Sequence, residues 1–160
     1  MKTPVLELRH VYKSFSLDGE KIDILKDINL VINKGDFLSI MGPSGSGKST
    51  LMYLIGCLDK PTSGQLIIER VDVSNFSEKQ LSKIRNSKIG FVFQMFNLLP
   101  RTTALANILL PVIYSKSSMK EAKIRALNLM EEMGIGKRTD HTPNKLSGGE
   151  QQRVAIARAL

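Results

Sequence analysis

A glycine-rich segment constrains this chain more than any other feature. Residues 42–49 read Gly-Pro-Ser-Gly-Ser-Gly-Lys-Ser and match the phosphate-binding pattern G-x-x-x-x-G-K-[ST]. In this pattern, glycines let backbone N–H groups curve around the α and β phosphates of a nucleotide. Lys48 then reaches the β and γ phosphates, and the Ser49 hydroxyl ligates Mg²⁺. Nucleotide contacts are predicted at Gly42, Ser44, Gly45, Ser46, Gly47, Lys48, Ser49 and Thr50.

The residues on either side of this loop predict a strand before it and a helix after it. Residues 37–41 are nearly continuously apolar, which is typical of a central parallel strand buried on both faces. After the loop, Leu51, Leu54, Ile55 and Leu58 recur at helical spacing, so residues 48–58 are predicted to form a helix with one face on the sheet. The positive N-terminus of that helix would add to the phosphate site.

The remaining patterns define an α/β fold of the P-loop NTPase class. Apolar residues alternate with period two before the loop, which predicts an antiparallel hairpin turning at residues 18–20. Strands are also predicted at 65–69 and 89–93, and helices at 77–86, at 118–134 and from Ser147 onward. We expect one domain over 1–160, with a β and P-loop core over 1–93, a helical subdomain over 94–146, and a final helix over 147–160.

Composition and charge restrict the cellular location and the partners that can be expected for this chain. It has 160 residues, is 42% hydrophobic and carries a net charge of +8, which suits one globular domain. Its basic residues are scattered, so no nucleic-acid partner is predicted. Residues 1–10 contain charges where a signal peptide needs an apolar run, and no window is apolar enough to span a membrane. A cytosolic protein is expected, in which the lone Cys57 is a small buried apolar residue.

A second glycine-containing motif, near residue 148, distinguishes this chain from other P-loop proteins. Residues 144–147 read Asn-Lys-Leu-Ser and lack the aspartate with which GTPases read guanine. Residues 146–153 read Leu-Ser-Gly-Gly-Glu-Gln-Gln-Arg, in which Ser147 and Glu150 form a capping box. Gly148 and Gly149 are poor helix formers, each costing about 1 kcal/mol against alanine. Because glycine has no side chain, it leaves the backbone N–H groups at the start of a helix uncovered, and such groups can bind a phosphate.

With these motifs the sequence resembles the ATP-binding subunits of ABC transporters, whose signature motif is LSGGQ. The resemblance covers the whole chain and implies ATP and Mg²⁺ as ligands. Gln94, after the Phe-Val-Phe of residues 91–93, is similar to the glutamine that contacts Mg²⁺ and the attacking water. Phe15 is similar to the aromatic residue that stacks on adenine, with Tyr12 as the competing choice. The resemblance also implies that Ser147, Gly148 and Gly149 close over the γ phosphate bound by a second subunit.

Within the family, residues 41–51, 56–64 and 93–100 most resemble the lipoprotein-release and macrolide-export branch. That likeness implies a homodimeric ATPase that energises an exporter through a separate membrane permease. The subunit would then lie peripherally on the inner face of the plasma membrane.

The family's apolar strand ending in Asp-Glu is missing after the signature motif. Residue 160 falls inside the predicted final helix, so we expect a fragment that is incomplete at its C-terminus. The resemblance implies that the missing glutamate polarises water, so these residues are expected to bind ATP without turning it over. Two alternatives stay open: a soluble ABC ATPase acting on nucleic acid or ribosomes, and a non-catalytic remnant that only binds nucleotide.

Overall fold

The computed structural model describes residues 3–115 and 117–160, which fall into two compact units, Met1–Arg85 and Asn86–Leu160. The first unit contains β1 (Pro4–Leu17), β2 (Glu20–Asn33), α1 (Lys48–Ile55), β3 (Ser63–Ile68) and β4 (Val71–Asp72). Helix α2 (Glu78–Lys88) begins in the first unit and ends in the second. The second contains α3 (Ala104–Leu109), a 3₁₀ helix (Leu110–Tyr114), α4 (Met119–Glu132) and α5 (Gly148–Ala159). Short 3₁₀ turns over Gly136–Arg138 and Pro143–Lys145 connect α4 to α5.

The first unit is built on an antiparallel sheet with the strand order β2-β1-β3-β4. The predicted hairpin is confirmed, because Leu17 pairs with Glu20 across a two-residue turn. Asp18 and Gly19 both have positive φ, at 51° and 86°, as a tight turn between twisted strands requires. Leu6 and Leu8 are buried, as the period-two pattern predicts.

Two predicted strands are wrong. Residues 37–41 and 89–93 have no regular secondary structure, and Phe37 and Met41 are 98% and 87% exposed. A parallel strand forms only when neighbouring strands accept and donate its backbone hydrogen bonds. Among residues 3–115 and 117–160, the paired strands are the four of the antiparallel sheet, and none of them pairs with either segment.

The helix after the phosphate loop is shorter than predicted. It ends at Ile55, because Gly56 caps it and Cys57 follows with a φ of 53°. Cys57 is fully buried, as predicted, and this burial raises the pKa of its thiol. Strand β4 was not predicted from the sequence at all.

The second unit packs three helices around one apolar core. Ala126 and Met130 of α4 are buried, which confirms the predicted inward face of that helix. Helix α4 begins after Ser118, although the Ser118 side chain makes no capping hydrogen bond. The core consists of Ala104, Ile108, Ala126, Met130, Ile135, Leu146, Val154 and Ala157. Of the helices in the described part of the chain, none has the length and apolar character needed to cross a membrane.

Candidate nucleotide-binding site

The phosphate loop depends on glycines at two backbone positions. Gly45 and Gly47 have φ values of +80° and +86°, in the left-handed region that other residues adopt only with strain. Gly47 is the N-cap of α1, and a Cβ there would lie 2.9 Å from Leu25 Cδ2 and 3.2 Å from the Ile24 carbonyl oxygen. The loop can therefore turn into α1 against β2 only with glycine at position 47.

Lys48 is the first residue of α1, and its ammonium lies against the loop. Lys48 Nζ donates to the carbonyl oxygens of Gly42 at 2.8 Å and Pro43 at 2.5 Å. The N–H groups of the first helical turn have no acceptor within the helix, and Ser49 and Thr50 belong to that turn. The exposed Ser49 side chain stands beside these groups. One short segment thus collects a cation, free N–H groups and a hydroxyl, which together suit a polyphosphate.

The loop and α1 contact the same pair of strands at both ends. At the start of α1, Gly47 packs on Leu25, which pairs with Lys13 of β1. After the end of α1, Asp59 Oδ1 and the Lys60 carbonyl oxygen accept hydrogen bonds from Lys13 Nζ at 2.7 and 2.8 Å. Helix α1 is therefore held over the face of the β1–β2 hairpin on which Lys13 lies.

Phe15 lies on that face, and Tyr12 lies on the other. The ring of Phe15 is under the Lys13 ammonium, with Nζ 4.9 Å from the ring centroid. Side chains alternate along a strand, and Tyr12 is the exposed residue between the buried Val11 and Lys13. Phe15 therefore shares a face of β1 with Lys13, whose ammonium contacts the residues that follow α1. Sequence reasoning missed Lys13, although its two-residue spacing from Phe15 already places both on one face.

In the second unit, Gln94 is exposed at the start of a turn. The residues after it are held by α5, because Arg158 donates from Nη2 to the Phe96 carbonyl at 2.7 Å and from Nη1 to the Asn97 carbonyl at 2.6 Å. A Cβ on Gly90 would lie 2.1 Å from the Ala159 carbonyl oxygen, so the chain before Gln94 also packs closely on α5. The sequence pattern gave no indication of Arg158.

The predicted capping box at the start of α5 is confirmed. The Ser147 hydroxyl accepts from the Glu150 N–H at 3.3 Å, and Glu150 Oε2 accepts from the Ser147 N–H at 2.7 Å. Arg138 Nε donates to the other carboxylate oxygen of Glu150 at 2.7 Å. The Ser147 N–H and Arg138 together lower the pKa of Glu150 from its ordinary 4.5 to about 2. Arg138, like Lys13 and Arg158, is a supporting residue that no sequence pattern indicated.

The two glycines of this motif are not required by the packing of the described chain. A Cβ on Gly148 would meet no heavy atom of the described residues within 4 Å. A Cβ on Gly149 would only touch Arg153 Nη1 at 3.5 Å, an ordinary contact distance. Both glycines and Ser147 are exposed. The start of α5 therefore presents a smooth backbone surface that a partner or ligand can approach closely.

Comparison with known proteins identifies the class. The family model for ABC transporters matches residues 25–160, and the chain belongs to this family. It is 54% identical over 156 residues to the ABC transporter ATP-binding protein YvrO of Bacillus subtilis, covering 98% of this chain and 68% of that protein. It is 46% identical to the lipoprotein-releasing system ATP-binding protein LolD of Legionella pneumophila, covering all of this chain and 70% of that protein.

Two further relatives bear on assembly. The macrolide export ATP-binding/permease protein MacB of a Shewanella species is 45% identical over 160 residues, which are 24% of its length. The solved dimeric cassette MJ0796 of Methanocaldococcus jannaschii has a TM-score of 0.88 and 49% identity, covering 97% of this chain and 68% of that one. Another MJ0796 structure is described as bound to ADP and Pi. The predicted ABC cassette fold is confirmed, and the chain is an ATP-binding subunit of a membrane transporter.

The Glu150 network predicts a specific dependence of stability on pH. Because the folded state lowers the pKa of Glu150 from 4.5 to about 2, its stabilising contribution is complete above 4.5 and is lost as the pH falls towards 2. Glu150→Gln should therefore lower the melting temperature at pH about 6, and the gap to the parent chain should close by pH about 2.

Thermal melts across this pH range test the prediction. Glu132→Gln, at the exposed end of α4, removes one carboxylate without touching the capping box and serves as the control. A gap between the parent and Glu150→Gln that stays constant with pH would contradict the assigned role of the carboxylate.

Proposed function

We propose that this chain is the ATP-binding part of a subunit that, when complete, hydrolyses ATP to energise an ABC exporter of the lipoprotein-release and macrolide-export branch. The observation that carries the proposal is the phosphate loop, where left-handed Gly45 and Gly47 lead into α1 and the Lys48 ammonium lies against the loop. The likeness to LolD and MacB supports the branch.

In the proposed site, the phosphates of ATP bind over the loop. The N–H groups at the start of α1 donate to the phosphate oxygens, and Lys48 Nζ exchanges its carbonyl acceptors for the β and γ phosphates. Ser44, Ser46 and Thr50 add hydroxyl donors along the same segment.

The residues present fit a Mg²⁺ ion that arrives with the nucleotide. Mg²⁺ prefers oxygen ligands and is usually held by one or two protein groups together with substrate phosphates. The exposed Ser49 hydroxyl next to Lys48 is such a group. Gln94 belongs to the second unit, and its Mg²⁺ contact is proposed from its likeness to the family's glutamine alone. Within the described residues, no group of three His, Cys, Asp or Glu side chains could hold the ion alone. Bound Mg²⁺ would neutralise charge on the phosphates.

Two copies of the chain would complete each ATP site. In this proposal, Ser147, Gly148 and Gly149 of one copy approach the γ phosphate held by the other, which is consistent with their exposure and with the dimer described for MJ0796. The exposed residues after Gln94 would face a membrane permease, as the joined ATP-binding and permease segments of MacB support. The subunit would lie peripherally on the cytoplasmic face of the plasma membrane.

Replacing Lys48 tests the phosphate site. Lys48→Ala should weaken ATP binding by roughly 1.5 to 3 kcal/mol, because a charged hydrogen bond to the phosphates is lost. Equilibrium titration with a fluorescent ATP analogue measures the effect. Lys34→Ala, which removes an exposed lysine of the same unit, should bind like the parent. Equal affinities of Lys48→Ala and the parent would refute the P-loop assignment.

The adenine contact distinguishes Phe15 from Tyr12. Phe15→Ala should weaken ATP by roughly 1 to 3 kcal/mol through lost stacking, with tripolyphosphate binding unchanged. Tyr12→Ala is the matched control, since it removes an aromatic ring from the opposite face of β1. The opposite result, with Tyr12→Ala weakening ATP and Phe15→Ala silent, would show that the wrong ring has been assigned.

Turnover tests the proposed separation of binding from hydrolysis. No Asp-Glu pair follows the signature motif within these 160 residues. A general base contributes roughly 10² to 10⁴ in rate, so phosphate release by this chain should stay near background. A malachite-green assay should show turnover only when the chain is extended through an apolar segment ending in Asp-Glu. Steady turnover by the 160 residues, abolished in Lys48→Ala, would contradict this proposal.

A further inference from the structure

We propose that Lys13 is a positioning residue for the adenine base, holding the ring of Phe15 from one side so that the other side receives the nucleotide. The inference rests on the proposed function, because it takes Phe15 as the ring that stacks on adenine. It goes further by naming the group that fixes this ring and by linking its position to the phosphate loop.

Lys13 is a charged residue with an unusual position. It is only 9% exposed, and a charge removed from water is tolerated only when it is paired and hydrogen-bonded. Its Nζ donates to Asp59 Oδ1 at 2.7 Å and to the Lys60 carbonyl oxygen at 2.8 Å. Asp59 Oδ1 also accepts from the Lys60 N–H at 2.7 Å, which holds the carboxylate in place. The location of the ammonium is therefore set by the residues that follow α1.

The third neighbour of this ammonium is an aromatic ring. Lys13 Nζ lies 4.9 Å from the centroid of the Phe15 ring, within the roughly 6 Å range of a cation–π interaction. This attraction is stronger for a cation that has lost its water. Phe15 remains 45% exposed, although the ammonium occupies one of its faces. In this proposal, the flat base stacks on the face opposite the ammonium.

This arrangement fixes the ring relative to the phosphate loop. Helix α1 carries Lys48 in its first turn, and the residues after its last turn anchor Lys13. The positions of the Phe15 ring and of the phosphate loop are thus both set by α1. A ring oriented before binding loses less conformational freedom when the nucleotide arrives, so the gain should appear in the affinity for ligands that carry a base.

The experiment compares a ligand that has a base with one that lacks it. Affinities for MgATP and for inorganic tripolyphosphate are measured by competition against a fluorescent ATP analogue. Lys13→Gln, which keeps a donor for Asp59, should weaken ATP about three- to tenfold and leave tripolyphosphate unchanged. Lys21→Gln removes an exposed lysine of β2 and should change neither affinity.

A double-mutant cycle tests whether Lys13 acts through Phe15. In a Phe15→Ala background, Lys13→Gln should cause no further loss of ATP affinity, because the ring it supports is gone. If Lys13→Gln does not fold, Lys13→Met combined with Asp59→Leu removes both charges together, a change that buried ion pairs often tolerate. This pair should show the same loss, confined to ATP.

Three results would overturn the inference alone. If Lys13→Gln weakened the binding of ATP and tripolyphosphate equally, Lys13 would stabilise the phosphate loop and not the adenine contact. Unchanged ATP affinity would show that the ring needs no support, and a loss that persists in Phe15→Ala would show that Lys13 does not act through it. In all three cases, the proposed function still holds if ATP binding is lost in Lys48→Ala. A parent chain that binds ATP no better than tripolyphosphate would overturn the assignment of Phe15 together with the inference.

Discussion

The close packing of one glycine on a strand sets the geometry of the nucleotide site. A Cβ on Gly47 would lie 2.9 to 3.2 Å from atoms of Ile24 and Leu25, so any side chain there would push the loop away from β2. Lys48 and Ser49 follow directly, and their positions depend on this contact. The same glycine has a left-handed backbone, so two independent constraints, sterics and backbone conformation, exclude other residues.

The glycines of the two motifs exist for different reasons. Gly45 and Gly47 have backbone conformations that only glycine adopts without strain. Gly148 and Gly149 lie in the first turn of α5, where alanine would be favoured by about 1 kcal/mol at each position. Their surroundings within the described chain would accommodate a Cβ. Since folding does not explain them, a ligand or partner approaching the backbone is the better physical explanation.

The sequence predicted what depends on neighbouring residues and missed what depends on distant ones. The hairpin turn and the Ser147 capping box are encoded within a few residues, and both formed as expected. The strands predicted at 37–41 and 89–93 depend on partner strands, and apolar character alone supplies none. The candidate site was found from its motifs, whereas the supporting cations Lys13 and Arg138 contact residues 46 and 12 positions away.

The supporting residues share a chemistry that follows from the exposure of the groups they hold. Serine and glycine at the start of α5, and an exposed ring on β1, gain little from burial and so do little to fix their own positions. In each case a cation behind them makes directional contacts: Arg138 with the Glu150 carboxylate, Lys13 with Asp59 and the ring. Lys13 is nearly buried, and a buried cation must be paired, so its position is fixed by folding. Arg138 stays partly exposed and is held by its hydrogen bond to Glu150. If the proposed contacts hold, the nucleotide would meet groups that the fold has already oriented.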